Sequence, residues 1–318
     1  MVPHTHSLRV WIALLGSGLA GGLVATQSRV NGGLSQAIGD GYVTAVVSFG
    51  SGLVILVLIV LASRTARGGL RRVRAEVGGG RLPVWALTGG LCGAFFVLGQ
   101  GLVASVIGLA VFTVGVVAGQ VTGGLVMDRI GLGPGGRVDP SVQRMLGAAL
   151  AVVAVGLSVL ADLLGGGAGL WLVVIPVVAG VGVAWQSAMN GLVRSAAHSA
   201  ITATFINFVV GTSVLIVAAG ISVAVNGWPA DWPADPLLYI GGATGVVFIG
   251  VAALLVRTAG VLLLSMSNVA GQLIAAVAFE AGLPLADGVT PGLLVGAAVA
   301  LAAVVIAALP RRTRPSAA

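Results

Sequence analysis

Apolar residues run along this chain in ten blocks of about twenty, at 9–27, 41–62, 83–104, 107–127, 144–164, 169–189, 200–223, 236–256, 260–280 and 289–309. A helix rises 1.5 Å per residue, so each block can cross a hydrocarbon core of ~30 Å. The pattern predicts an all-α polytopic membrane protein with ten transmembrane helices. Only a short uncharged turn parts the third block from the fourth. The first block starts after Arg9 and continues past Gly22 without a small-residue cleavage site. It is therefore read as a retained helix, not a signal peptide.

Composition agrees. The chain is 58% hydrophobic and only 8% charged, with a mean hydropathy of +1.10, whereas a soluble domain is about a quarter charged. The net charge of +7 would suit nucleic acid, but its distribution points to membrane topology. With the N-terminus in the cytoplasm, fifteen of the 16 basic residues, all Arg, fall on the inner side, and only Arg29 falls outside. The expectation is a multi-pass inner (cell) membrane protein with both termini cytoplasmic and no nucleic-acid partner. Arg64, Arg67, Arg71, Arg72, Arg74 and Arg81 crowd one loop. They read as a topology determinant first and as an anionic-lipid contact second. Trp228 and Trp232 suit an outer interfacial belt, Trp11 and Trp85 an inner one. Cys92 is the single cysteine, and His4, His6 and His198 show no ligand spacing, so neither metal nor cofactor is expected.

Two stretches 159 residues apart are nearly the same. Ala20–Leu34 reads AGGLVATQSRVNGGL and Ala179–Val193 reads AGVGVAWQSAMNGLV, with eight of fifteen positions identical. VAGQ at Val117–Gln120 returns at Val269–Gln272, offset by 152. Matching Gln and Asn carries the argument, because the chain holds only 7 Gln and 5 Asn. One unit has been duplicated and fused, with the first repeat expected over 1–145 and the second over 146–318. Five spans per unit invert the second copy. The six-Arg loop then lies inside, and its counterpart with Asp231 and Asp235 lies outside, as an inverted repeat requires.

Gln27 and Asn31 share one helix face, as do Gln186 and Asn190. Amides avoid lipid, so both pairs point into the bundle, to bind a substrate or to bond neighbouring helices. Gln120 lies eight residues before Asp128, about 12 Å deeper along the helix. Gln272 repeats this from the opposite face against Glu280. Gln27, Asn31, Gln120, Gln186, Asn190 and Gln272 are the candidate substrate-binding residues, with Asn207 and Asn268 behind them. Amides both donate and accept, which suits a neutral or zwitterionic solute. Arg29 breaks the repeat, since its match is Ala188. It either holds an anionic group or snorkels outward, towards Asp40. Asp40, Asp128, Asp162, Glu280 and Asp287 all sit near span ends, and Asp128 and Glu280 are the candidates for ion coupling. Glycine pairs four apart, Gly18/Gly22, Gly89/Gly93, Gly115/Gly119 and Gly241/Gly245, are expected at close helix crossings within each repeat.

The Q-x-x-x-N-G pattern of Gln27 and Gln186 is followed by S/N-F-x-x-G (Ser48, Phe49, Gly52; Asn207, Phe208, Gly211) and then by A-G-Q (Gly119–Gln120; Gly271–Gln272). Together these resemble the YdcZ-like proteins of the drug/metabolite transporter superfamily. The resemblance covers almost the whole chain and implies a fused form of two inverted five-helix repeats that work by alternating access. It gives no ligand, and the membrane-embedded Glu of cationic-drug exporters in that superfamily has no match in the first helix. The function expected is a secondary transporter of a small polar metabolite. The alternative is a non-transporting integral membrane scaffold or subunit. No clustered nucleophiles suggest an enzyme. The expected partners are the small-molecule substrate and the lipid bilayer, with a homodimer left open.

Overall fold

The computed structural model describes residues 4–132, 136–137, 139, 141–164, 171–248, 261–286 and 288–308. Among these the regular structure is entirely helical. The elements are α1 (His4–Ile38), α2 (Gly41–Ala62), α3 (Arg64–Gly78), α4 (Gly89–Gly99), α5 (Leu109–Ile130), α6 (Val142–Leu164), α7 (Trp171–Ala197), α8 (Ala200–Asn226), α9 (241–248), α10 (Val261–Gly282) and α11 (Pro291–Ala308). A 3-10 turn, Val84–Thr88, leads into α4, and a π turn, Gln100–Ala104, followed by Ser105–Ile107 continues it. Five described segments are long and apolar enough to cross a membrane: Gly41–Ala62, Val84–Ile107, Leu109–Ile130, Leu172–Ala197 and Ala200–Asn226. The eighth block is described only to residue 248, and Arg257, Asp287, Arg311, Arg312 and Arg314 lie outside the described residues.

Local chemistry sets several boundaries. α1 runs to Ile38 instead of ending near residue 27, because nothing breaks it before Gly39, whose φ of +71° suits glycine. Asp40 then caps α2: its Oδ1 accepts from the backbone N–H of Tyr42 (2.7 Å) and Val43 (2.9 Å). Its other oxygen accepts from Ser222 Oγ at 2.8 Å, which ties the start of α2 to α8. Asp40 is thus a cap, and Arg29 turns elsewhere. Five of the six arginines of that loop lie on a helix, α3, with Ala66, Gly69 and Val73 buried against the bundle.

The two halves meet through glycine. A Cβ at Gly21 would overlap the Asn268 carbonyl, and one at Gly271 the Gly18 carbonyl, so α1 and α10 touch backbone to backbone. The same crossing recurs between α7 and α5: a Cβ at Gly180 would overlap the Val116 carbonyl, and one at Gly119 the Val177 carbonyl. Each residue of one crossing is the repeat equivalent of a residue in the other. Gly93 lies against Gln186 of α7, and Gly245 against Gln27 of α1. Phe49 and Phe208, equivalent positions in α2 and α8, stack with ring centroids 4.7 Å apart. These reciprocal contacts are those of two copies related by a pseudo-two-fold axis. They correct one expectation: the glycine pairs serve crossings between repeats, not within them. Only there do equivalent small faces from both copies oppose each other.

Candidate functional site

The amides on α1 and α7 end up in two separate hydrogen-bonded clusters. On α1, Asn31 Nδ2 donates to Gln100 Oε1 at 2.6 Å, and Gln100 Nε2 donates to Ser28 Oγ at 2.8 Å. Ser28, Asn31 and Gln100 are all buried, Gln100 completely. Gln100 opens the π turn, whose extra residue per turn carries this side chain round onto α1; such bulges recur at functional sites. On α7, Gln186 Nε2 donates to Asn207 Oδ1 (3.0 Å), and Asn207 Nδ2 donates to Asn190 Oδ1 (3.1 Å). Here Asn207 is buried while Gln186 and Asn190 are half-buried. The clusters are not copies. The repeat equivalent of Asn207 is Ser48, whose buried hydroxyl has no hydrogen-bond partner among the described residues.

A narrow crevice of about 180 Å³ lies between α1, α4, α5 and α10, lined by Val24, Ala25, Ser28, Phe96, Phe112, Thr113, Val116 and Gln272, with no room for a water molecule. Its polar groups are two hydroxyls and one amide, and no charged side chain reaches it. Gln272, buried, also donates to Asn268 Oδ1 at 2.7 Å. Asn268 in turn reaches the Ser17 carbonyl on α1 at 3.4 Å. Of the candidate residues only Gln272 borders this crevice. Gln27 is buried beside Gly245, and Gln120 is half-buried on α5. The crevice is lined from the first, third, fourth and ninth spans, the third contributing Phe96 of α4.

The C-terminal end of α1 is tied down by a second set of bonds. Arg29 Nε donates to the Leu283 carbonyl (2.6 Å). Gln36 Nε2 donates to the carbonyls of Ser105 (2.8 Å) and Leu285 (2.7 Å). Glu280, 3% exposed, accepts from the backbone N–H of Leu109 at 3.0 Å. Gly108, with φ of +82°, precedes α5 and offers no capping side chain, so a carboxylate from α10 caps the helix. The first N–H groups of a helix lack internal acceptors and carry positive dipole, which makes an anionic oxygen the fitting partner. These bonds join α1, the α4–α5 connection and the α10–α11 connection.

Among the described residues, the equivalent positions at the opposite end make no such set. Arg29 corresponds to Ala188. Gln36 corresponds to Ser195, which bonds the Gly191 carbonyl of its own helix. Glu280 corresponds to Asp128, which pairs with Arg144 at 2.8 Å instead. Trp185 Nε1 to Thr88 Oγ1 (3.2 Å) and Arg72 to the Ala197 carbonyl (2.6 Å) are the ties that reach α7 there. No group of three His, Cys, Asp or Glu among the described residues could hold a metal ion.

Gln100, Thr113 and Gln36 were not singled out in the sequence. Gln100 carried a usable signal, as one of only 7 Gln and the lone amide in its apolar block. A comparison with curated proteins finds no match. A family model described as "Putative inner membrane exporter, YdcZ" matches twice, over residues 12–157 and 171–306. Two matches to one model agree with the internal repeat and with the reciprocal glycine crossings. Covering nearly all of the helical chain, they place this protein in the YdcZ family of multi-pass inner-membrane transporters, as a two-repeat form.

Proposed function

We propose that this protein is a secondary transporter that moves a small neutral or zwitterionic polar metabolite by alternating access, in the export direction that the family description names. The observation that carries the reading is the asymmetry between the ends. Bonds from Arg29, Gln36 and Glu280 tie down the α1 end, while among the described residues their repeat equivalents make no such bonds at the α7 end. In an inverted repeat, releasing the bonds at the α1 end as the α7 end packs closed opens one face while it shuts the other. The crevice at Ser28, Thr113 and Gln272 is the substrate position in its closed form, and the Asn31–Gln100 pair, bonded to Ser28, is the polar wall beside it. An uncharged lining with Phe96 and Phe112 suits an uncharged or internally balanced solute, since an unpaired charge there would be desolvated without compensation.

The test is a thermal-shift screen of the purified protein against neutral, zwitterionic, cationic and anionic metabolites. A ligand at 100 times its Kd stabilises by about 2.7 kcal/mol. The reading expects shifts confined to neutral or zwitterionic compounds and reduced by Gln272→Ala. Shifts with cations alone, or shifts that Gln272→Ala leaves intact, would refute the assigned site.

A further inference from the structure

We infer that the groove formed by Arg64, Arg67 and Arg71 on α3 binds the phosphate of an anionic phospholipid. The three residues, with Gly68, line a cavity of ≈ 270 Å³. No acidic residue lines it. Arg64 and Arg71 are exposed, and neither makes an ion pair among the described residues. Other arginines of this segment are already used. Arg72 donates twice to the Ala197 carbonyl, at 2.9 and 2.6 Å, and Arg81 pairs with Glu76 at 2.7 Å.

Position makes the occupant a lipid. α2 ends at Ala62, and Ser63 both closes α2 and caps α3, so the groove opens within a turn of the end of a spanning helix. Val54, Leu58 and Leu61 form an i, i+4, i+7 stripe on α2 that stays 61%, 62% and 64% exposed. That stripe leads up to the groove, so an acyl chain can lie along it while the phosphate seats between guanidinium forks. Arg suits this better than Lys, because its planar fork binds phosphate oxygens in pairs.

α3 is also held still. Thr202 Oγ1 donates to the Ala66 carbonyl at 3.0 Å, and Arg67 donates to the carbonyls of Leu61 and Val60 at the end of α2. Those bonds fix one wall of the groove before a ligand arrives, which reduces the ordering cost of binding.

The experiment measures binding of phosphatidylglycerol and cardiolipin to the delipidated, detergent-purified full chain, with phosphatidylcholine and soluble glycerol phosphate as comparison arms. Each basic residue at an anionic surface contributes about 1 kcal/mol, or about fivefold, so Arg64→Gln with Arg71→Gln should weaken binding roughly 30-fold. Arg74→Gln, exposed on the same helix but outside the groove, should change it less than twofold. Arg71→Gln alone, expected to weaken binding about fivefold, serves if the double variant does not fold. Equal losses for Arg74→Gln would overturn the site in favour of diffuse charge. Full competition by glycerol phosphate would overturn the lipid, and unchanged binding in a folded groove variant would overturn both.

Discussion

Removing the Glu280 carboxylate should release the first turn of α5. The Leu109 N–H has Glu280 as its acceptor at 3.0 Å, and the carboxylate is 3% exposed. Hydrogen bonds to charged groups contribute roughly 1.5–3 kcal/mol, and the helix dipole adds up to ~1 kcal/mol in a partly buried setting. Glu280→Ala deletes the acceptor and strands a buried N–H. At 1.4 kcal/mol per decade, amide exchange across 109–112 should speed up roughly 10- to 700-fold. Glu280→Gln keeps an acceptor oxygen but loses the charge, so its effect should be only about fivefold. Hydrogen–deuterium exchange read by mass spectrometry on the peptide spanning this turn gives the ratio directly, with peptides of α8 as an internal control. Unchanged exchange in Glu280→Ala, in a protein whose α8 stays protected, would refute the cap. So would an equal effect of the Ala and Gln variants.

Three further outcomes follow from named contacts. Gln100→Leu should leave Asn31 Nδ2 without its buried acceptor, lower stability by about 1–3 kcal/mol and reduce transport at least tenfold, as read by melting and by flux of a ligand found in the screen. Gly271→Ala puts a methyl into the Gly18 carbonyl at the α1–α10 crossing. Overpacking of this kind costs about 1–3 kcal/mol, so the melting temperature should fall, whereas Gly220→Ala, with open space at its Cβ, should leave it unchanged. Glu76, hydrogen-bonded to Arg81 on the surface of α3, has its carboxyl held below the usual range. A lowered folded value means that the pair is complete at neutral pH and is lost only as pH falls through that lowered value. Glu76→Gln should therefore lower the melting temperature slightly near neutral pH and not at all below that lowered value, and a loss that appears only at low pH would count against the pair.

Hydropathy located the spans because lipid exposure imposes it residue by residue. α2 begins and ends where its apolar block does, since Asp40 and Ser63 are both polar and both caps. α3 is invisible by the same measure: its five arginines read as a loop, although Ala66, Gly69 and Val73 at three- and four-residue spacing mark a buried face. Hydropathy ends the first block near residue 27 because Gln27, Ser28, Arg29, Asn31 and Ser35 are polar, whereas all but Arg29 are buried in the bundle and α1 continues through them. Duplication exposed the Gln and Asn positions that recur, and with them Gln27, Asn31, Gln186 and Asn190. It could not expose Gln100, whose repeat equivalent is Ala252, nor the π turn that rotates it inward. Nor could it say that Gln272 borders the crevice while its equivalent Gln120 does not.

Alternation between the two ends is the central claim, and paired cysteine accessibility tests it most directly. Cys92→Ser removes the native thiol, and Ser35→Cys or Ser195→Cys then reports on the sealed α1 end or the looser α7 end. With Glu280→Ala added, labelling by an impermeant maleimide should rise at position 35 and fall at position 195 in the same preparation. Labelling that rises at both ends together, or that changes at one without the other, would contradict alternating access and leave Glu280 as a structural cap alone.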